Sequence, residues 1–352
     1  MSSTTEDIPV GLVGFGMAGR VFHAPVIERV PGLRLTTIVQ RTGDTAASLH
    51  PDARVVRSVD ELLADERIRL VVIATPNASH ADLARCCLEA GRHVVVDKPF
   101  AVSSAQAAPL ADVARRSERL LTVFHNRRWD GDFLTVRRVI EQHACGRVVL
   151  VESRFERFRP KLKGVWRERA EPGGGILFDL GPHLIDQAVV LFGLPDAVTG
   201  DVRIERDDAV ADDAFDLTLH YPGLRVLLRA SVLASAPGPR FVVRGTAGSY
   251  VKYHLDPQEA RLADGGSSAG EFWDQEPRER WGTLTRATDA GTQSQALPTE
   301  AGDYRLFYAN LRDAIRGTAP LAVTPEQALD VMRLLELAAE SSRQRRTLAL
   351  LP

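Results

Sequence analysis

The sequence predicts a two-domain α/β chain. Residues 1–125 read as a doubly wound parallel sheet of the Rossmann type. Residues 126–352 read as a C-terminal α+β domain with a large, mostly antiparallel open sheet. Three observations carry this. A glycine motif, Gly14-Phe15-Gly16-Met17-Ala18-Gly19, stands directly after the apolar run Ile8–Val13. Strand and helix patterns alternate from there to Phe124. Beyond Phe124 the texture becomes alternating apolar and polar strands separated by short turns such as Tyr221-Pro222-Gly223 and Pro237-Gly238-Pro239.

The glycine motif has a physical reading at each position. The first glycine lets the chain turn sharply out of a strand, the second leaves room for a pyrophosphate against the backbone, and the third lets the next helix pack close to the sheet. The helix start then offers amide hydrogens and partial positive charge to phosphates. Alone, such a motif is equally a plain structural turn; its place at the opening of an alternating β-α pattern makes it a dinucleotide site. Leu33–Val39 alternates as a second strand. Leu70–Ala74 and His93–Val96 are continuous apolar runs, as expected of strands buried on both faces. Ser79–Ala90 reads as a helix closed by Gly91, Ser104–Arg116 as another, and Leu120–Phe124 as a sixth short strand.

In the second domain a helix spans about Asp130–Gln142. Strands are predicted at Arg147–Arg157, Val198–Arg206, Ala214–His220, Arg225–Leu233 and Phe241–Val243. Leu262–Thr299, rich in Gly, Ser, Thr and acidic residues, reads as an irregular surface excursion. Helices at Tyr304–Arg316 and Thr324–Ser341 close the chain, the second opened by the N-cap pair Thr324-Pro325. An open sheet with helices on one face leaves the other in need of a partner, so a homodimer or a dimer of dimers is expected.

Composition narrows the function classes. A length of 352 residues with 44% hydrophobic content suits two cores, and a net charge of −2 offers no footprint for nucleic acid or an anionic membrane. No basic and apolar leader opens the sequence and no apolar run approaches the ~20 residues of a bilayer span, so the cytoplasm is the expected location. Cys86, Cys87 and Cys145 have neither disulfide-framework nor metal spacing, and buried reduced thiols are expected; no metal is expected either.

Two further motifs carry chemistry. Asp97-Lys98-Pro99 ends the fifth strand, and ligands of open α/β sheets bind beyond the carboxyl ends of the strands, which aims Lys98 at the nicotinamide position. In the stretch Gly173–Gln187, Asp179 and His183 are four residues apart and share one helix face, where a carboxylate can orient an imidazole.

These residues resemble a known family. The glycine motif, Thr75-Pro76-Asn77 with His80, Asp97-Lys98-Pro99, and the Gly-rich stretch leading to Asp179 and His183 are similar, in order and spacing, to the glucose–fructose oxidoreductase/inositol dehydrogenase/rhizopine catabolism (Gfo/Idh/MocA) family, over the whole chain. Phe22-His23-Ala24-Pro25, Phe124–Asp130, Arg157–Pro160, Trp166-Arg167-Glu168 and Tyr250–Tyr253 resemble the bacterial scyllo-inositol 2-dehydrogenases within it. The family usually has Glu-Lys-Pro where this chain has Asp97-Lys98-Pro99, a carboxylate shorter by one methylene.

The resemblance implies an NAD(P)-dependent oxidoreductase interconverting a ring-polyol hydroxyl and its ketone, without metal. It also implies that Gly14–Gly19, Thr75, Pro76, Asn77, His80, Asp97 and Lys98 hold the cofactor. Hydride transfer belongs to the cofactor; the protein must place a C–H and manage a proton. His183 is the candidate general base, since an ordinary imidazole titrates near ~6.5. Lys98 would stabilise developing alkoxide, and Asp179 would orient His183 or bind a substrate hydroxyl. Which of Lys98 and His183 carries the proton is open. Candidate substrate contacts are His125, Asn126, Arg127 and Trp129 at the domain junction, with Arg128 beside them. Arg157, Arg159 and Trp166 add to these from Arg154–Arg169, a run of seven basic and two acidic residues that reads equally as a solvated loop. Tyr304 and Tyr308 read equally as pocket or core.

Cofactor choice is made at the end of the second strand, where a carboxylate would bond the adenosine ribose and exclude a 2′-phosphate. This chain has Gln40-Arg41-Thr42 there, an arginine and a hydroxyl in place of an acid, which favours NADP(H). Asp44, were the loop to fold back, would favour NAD(H) instead. Readings outside this one are a reductase of another sugar or dihydrodiol and a non-catalytic nicotinamide-sensing protein.

Overall fold

A computed structural model describes residues 6–264 and 276–351, which form two compact units. The first holds residues 6–126, 259–264 and Tyr304–Leu329. Its sheet has six strands, β1 (Ile8–Val13), β2 (Leu33–Val39), β3 (Arg54–Val56), β4 (Leu70–Ile73), β5 (His93–Val96) and β6 (Leu121–Val123), in the order β3-β2-β1-β4-β5-β6. Every pairing is parallel. The strand order reverses between β1 and β4, the switch point at which such sheets take their ligands. All four residues of β4 are buried, as its uninterrupted apolar run requires. The expected count of six strands includes β3, but the sequence does not locate it, because three residues are too few to show a period.

Helix His80–Glu89 buries His80, Ala81, Ala84, Cys87 and Leu88, one stripe at helical spacing. Gly91 at φ 78° ends it, with the Arg92 amide reaching back to the Cys87 carbonyl at 3.0 Å. Cys86, on the opposite face, is exposed, against the expectation that all three thiols are buried; Cys87 and Cys145 are.

The second unit holds residues 127–258, 276–303 and 330–351. Its nine strands are β7 (Val148–Glu156), β8 (Ala197–Arg203), β9 (Ala214–Tyr221), β10 (Leu224–Ser231), β11 (Phe241–Gly245), β12 (Gly248–Lys252), β13 (Gly282–Thr288), β14 (Gly291–Leu297) and β15 (Leu348–Ala349). They are ordered β14-β13-β12-β11-β7-β10-β9-β8-β15. All neighbours are antiparallel except β7 and β10, where the long crossover through the helix Gly175–Phe192 and the β8–β9 hairpin allows a parallel pair. Phe215, Leu217 and Leu219 of β9 and Val226, Leu228 and Ala230 of β10 are buried on one face. The alternate residues Thr218, Leu227 and Arg229 are half-buried, and Arg229 pairs with Asp216 at 3.1 Å. The last long helix, Pro325–Gln344, is opened by a reciprocal cap: Thr324 Oγ1 accepts the Gln327 amide and Gln327 Oε1 accepts the Thr324 amide, both at 3.3 Å.

Two expectations are corrected. Part of the excursion expected over Leu262–Thr299 is the β13–β14 hairpin, while residues 265–275 lie outside the described residues. β14 is exposed along nearly its whole length, so it shows no apolar alternation; its Thr and Gln residues are held by pairing to β13 alone. Helix Gly175–Phe192 is long and apolar enough, by length and composition, to cross a membrane, although no such run was expected. It is 67% buried inside the protein, and its apolarity is that of a core helix.

Candidate active site

In the first unit the chain leaves β1 through Gly14 at φ 97°, where a Cβ would lie 2.6 Å from the Ala74 carbonyl oxygen. A Cβ on Gly19 would lie 2.1 Å from the Gly14 carbonyl oxygen, so the turn and the start of the helical segment touch backbone to backbone. At Gly16 a Cβ would meet nothing within 4 Å. That open space beside main chain is the cradle a pyrophosphate needs, and the residues fit a dinucleotide.

The loops after β4 and β5 meet behind this turn. Thr75 Oγ1 and Ser79 Oγ are 2.7 Å apart, and Asn77 is buried. His80 is fully buried, with Nδ1 2.8 Å from the Pro99 carbonyl oxygen and Nε2 2.9 Å from that of Thr75. His80, expected as a cofactor contact, bridges the two loops, since both ring nitrogens face backbone.

Directly after β5, Asp97 Oδ1 accepts the Lys98 amide at 2.8 Å. His23 faces the same oxygen at 3.9 Å, an ion-pair distance beyond hydrogen-bond range, and its Nδ1 is 2.6 Å from the Tyr308 hydroxyl. Burial opposes charge on Asp97, but the facing imidazole, with Lys98 and His80 adding to it, holds the carboxyl below its ordinary range. Lys98 therefore has an anion at its own backbone. Tyr304 and Tyr308 are both fully buried in this unit, and burial together with the Asp97 charge pushes the Tyr308 phenol well above its ordinary value.

At the cofactor-choosing end of β2, Arg41, Thr42 and Asp44 are exposed. Asp44 is ion-paired to Arg57 at 2.7 Å, so it is engaged within its own loop region rather than standing free.

In the second unit, helix Gly175–Phe192 carries Asp179 and His183. Asp212 sits on its N-terminus: Oδ2 accepts the Leu177 amide at 2.7 Å, and only a glycine at 175 leaves room for the carboxylate, since a Cβ would fall 1.9 Å from Oδ1. Burial, opposed by these amides, pushes the Asp212 carboxyl up. His183 is buried at 6% exposure, whereas Asp179 is about one-third exposed and pairs with Arg167 Nε at 3.2 Å. Arg167 in turn lies over the Trp166 ring at 4.8 Å. The short turn Trp166–Glu168 is fastened from below: Arg206 donates to Glu168 Oε1 at 3.1 Å and to Asp213 Oδ2 at 2.9 Å. Burial opposes charge on Glu168, but the amides of Lys163 and Gly164 and the Arg206 guanidinium keep its carboxyl low.

Other expected substrate contacts are interior. Arg127 is 6% exposed, donates to Asp130 at 3.1 Å and lies 4.8 Å over the Phe155 ring. His125 and Asn126 are buried as well. Arg128 makes a two-pronged bond to Asp186, at 2.8 and 2.6 Å. Arg157 stacks 4.6 Å over Phe155 and keeps partial exposure, Trp129 is half-buried, and Arg159 is exposed. His23 and Arg167 stand in motifs that carry the family resemblance but were given no role from sequence, and Arg57 carried no sequence signal. Among the described residues no group of three or more His, Cys, Asp or Glu could hold a metal ion.

Comparison with known proteins matches residues 8–125 to the NAD-binding Rossmann fold of the GFO/IDH/MocA oxidoreductase family and residues 137–350 to that family's C-terminal alpha/beta domain. The chain is 44% identical to the uncharacterised oxidoreductase YdgJ of Escherichia coli, over 98% of this chain and 99% of that one. It is 35% identical to the scyllo-inositol 2-dehydrogenase (NADP(+)) IolW of Bacillus subtilis, over 98% and 96%. Among solved structures it is similar to the oxidoreductase YPO2259 of Yersinia pestis, with a TM-score of 0.94 at 42% identity over 100% of this chain and 99% of that one.

Proposed function

The chain belongs to the Gfo/Idh/MocA oxidoreductases, enzymes of the dehydrogenase type acting on CH–OH groups, and from that premise we propose that it interconverts a hydroxyl of a scyllo-inositol-like cyclic polyol and its ketone, with NADP(H) as the preferred cofactor. The observation that carries the reading is Lys98 directly after β5, its main chain held by the partly buried carboxylate of Asp97, which is kept below its ordinary range. When bound, the nicotinamide accepts or returns the hydride. Lys98 donates to the substrate oxygen and stabilises it as it gains alkoxide character. His183 takes the hydroxyl proton on oxidation and gives it back on reduction. Asp179, fixed by Arg167, presents a partly exposed carboxylate to a substrate hydroxyl. Trp166, Arg157, Arg159 and Trp129 supply ring and hydroxyl contacts, and a polyol needs many of these because each missed partner leaves a buried polar group unpaired. The relative named as an NADP(+) enzyme, and the Arg41 and Thr42 pair in place of an acid after β2, support the cofactor reading.

A panel of inositol isomers and other polyols, followed by nicotinamide absorbance with NADP(H) and NAD(H) in parallel, tests the proposal. A cyclic polyol turned over with NADP(H) at least tenfold more efficiently than with NAD(H) is the expected result. Activity confined to acyclic sugars or to dihydrodiols overturns it.

We also propose a homodimer or homotetramer built through the half-buried face of the second unit's sheet, where Thr218, Leu227 and Arg229 alternate with the core residues. Light scattering across micromolar concentrations is expected to give a dimeric or tetrameric mass; a monomeric mass at every concentration rules it out.

A further inference from the structure

Cofactor choice in a dinucleotide fold rests on what the loop after β2 presents to the adenosine ribose. In this chain the loop Gln40–Asp44 is not left to itself. Arg57, the residue after β3, donates through Nη1 to the Gln40 carbonyl at 2.9 Å and to the Gly43 carbonyl at 2.6 Å, and through Nη2 to Asp44 Oδ1 at 2.7 Å. β3 is itself paired to β2, so the guanidinium is anchored on the sheet that the loop leaves. Gln40 completes the fastening, its amide donating to the Val56 carbonyl at 3.0 Å and its Oε1 accepting the Ala46 amide at 2.8 Å. Gly43 takes the left-handed turn, φ 77°, that brings its carbonyl to Arg57.

This arrangement settles the charge of the loop. Asp44 is the one acid among residues 40–46, and it is neutralised by Arg57. Arg41 and Thr42 stay exposed, and Arg41 has no hydrogen bond or ion pair among the described residues. A 2′-phosphate arriving there meets an unpaired guanidinium and a hydroxyl, with the neighbouring carboxylate already paired.

We propose that Arg57 is a specificity-determining residue for NADP(H). It acts as a positioning residue, tying Asp44 back and buckling the Gln40–Asp44 loop so that Arg41 and Thr42 form a seat for the 2′-phosphate. The inference rests on the NADP(H) reading above. An unpaired Asp44 would repel the phosphate and be free to bond a ribose hydroxyl, so removing Arg57 should turn the site toward NAD(H). An exposed ion pair alone contributes little. The two carbonyl bonds from the same guanidinium add to it, since they hold the loop's backbone.

Calorimetric titration of the full-length protein with NADP⁺ and with NAD⁺, which needs no turnover, tests this. In Arg57→Ala the ratio of NADP⁺ to NAD⁺ affinity is expected to fall about tenfold or more. In Arg57→Ala combined with Asp44→Asn much of that ratio should return, because the freed carboxylate is gone. Asp44→Asn alone, which leaves the two carbonyl bonds in place, should keep or raise the parent's preference and serves as the variant least apt to disturb folding. If the parent prefers NADP⁺ and the ratio is the same in Arg57→Ala, the role of Arg57 is wrong and the NADP(H) reading stands. If the parent prefers NAD⁺, the cofactor reading itself fails. If the double variant is as impaired as the single one, Arg57 does not work through Asp44 and the proposal is overturned.

Discussion

Lys98→Ala is expected to lower turnover by about a hundredfold or more while leaving cofactor affinity near that of the parent. The substrate oxygen passes from hydroxyl to carbonyl through a state with alkoxide character, and a cation aimed at it matters more there than in the ground state. Removing one such preorganised donor typically costs about 10²–10³ in turnover. The cofactor's phosphates rest on the glycine turn with its open cradle at Gly16, which the substitution does not touch. The anchoring bond to Asp97 comes from the Lys98 main chain and survives in alanine, so the loop keeps its shape and the loss isolates the ammonium. Steady-state kinetics paired with calorimetric cofactor binding separate the two quantities. Near-normal turnover would assign the chain to the nicotinamide-sensing reading, and a parallel collapse of cofactor binding would make Lys98 a cofactor residue first.

His183→Ala should impair proton transfer by about 10²–10⁴, the range usual for a general acid–base group. The side chain sits on a helix whose N-terminus is capped by Asp212, a part of the helix the substitution leaves untouched, although some loss of packing is expected because His183 is buried. A stability effect alone lowers the amount of active enzyme without altering how its rate depends on pH. Loss of the base removes the pH dependence that a titrating imidazole imposes on kcat, and a small exogenous base such as imidazole should recover part of the activity. A variant with the parent's pH profile and no response to added imidazole shows that another group, Lys98 foremost, handles the proton.

The two predictions differ in how far sequence supports them. Lys98 was legible because two short-range regularities locate it: an apolar run that must be a buried strand, and the rule that ligands lie beyond strand carboxyl ends. The Asp179 and His183 pair was legible through helical spacing, and one helix does carry both. Asp179's partner was not. Arg167 is twelve positions away across a loop whose course is set by Arg206 gripping Glu168, and no local pattern announces such a contact. His80 shows the opposite case. Its place in a cofactor-like motif was visible, but that both its nitrogens face the carbonyls of Thr75 and Pro99 follows only from two loops meeting in space.

The sequence by itself determined the order of elements in the first unit, the glycine turn, the position of Lys98 after its strand and the helix of Asp179 and His183. Each of these is decided by steric and hydrophobic regularities that act within a few residues along the chain. Only the tertiary structure decided that Arg127 is interior, that Asp44 is tied to Arg57, that Tyr308 lies against His23 and that β13 and β14 form a hairpin in a polar stretch. The hairpin was illegible because exposed β14 shows no apolar alternation, and the other three share one physical reason. A charged or polar side chain buried or held in place must find a partner, and the partner is whichever group packing brings within about 3 Å, however far away it lies in sequence.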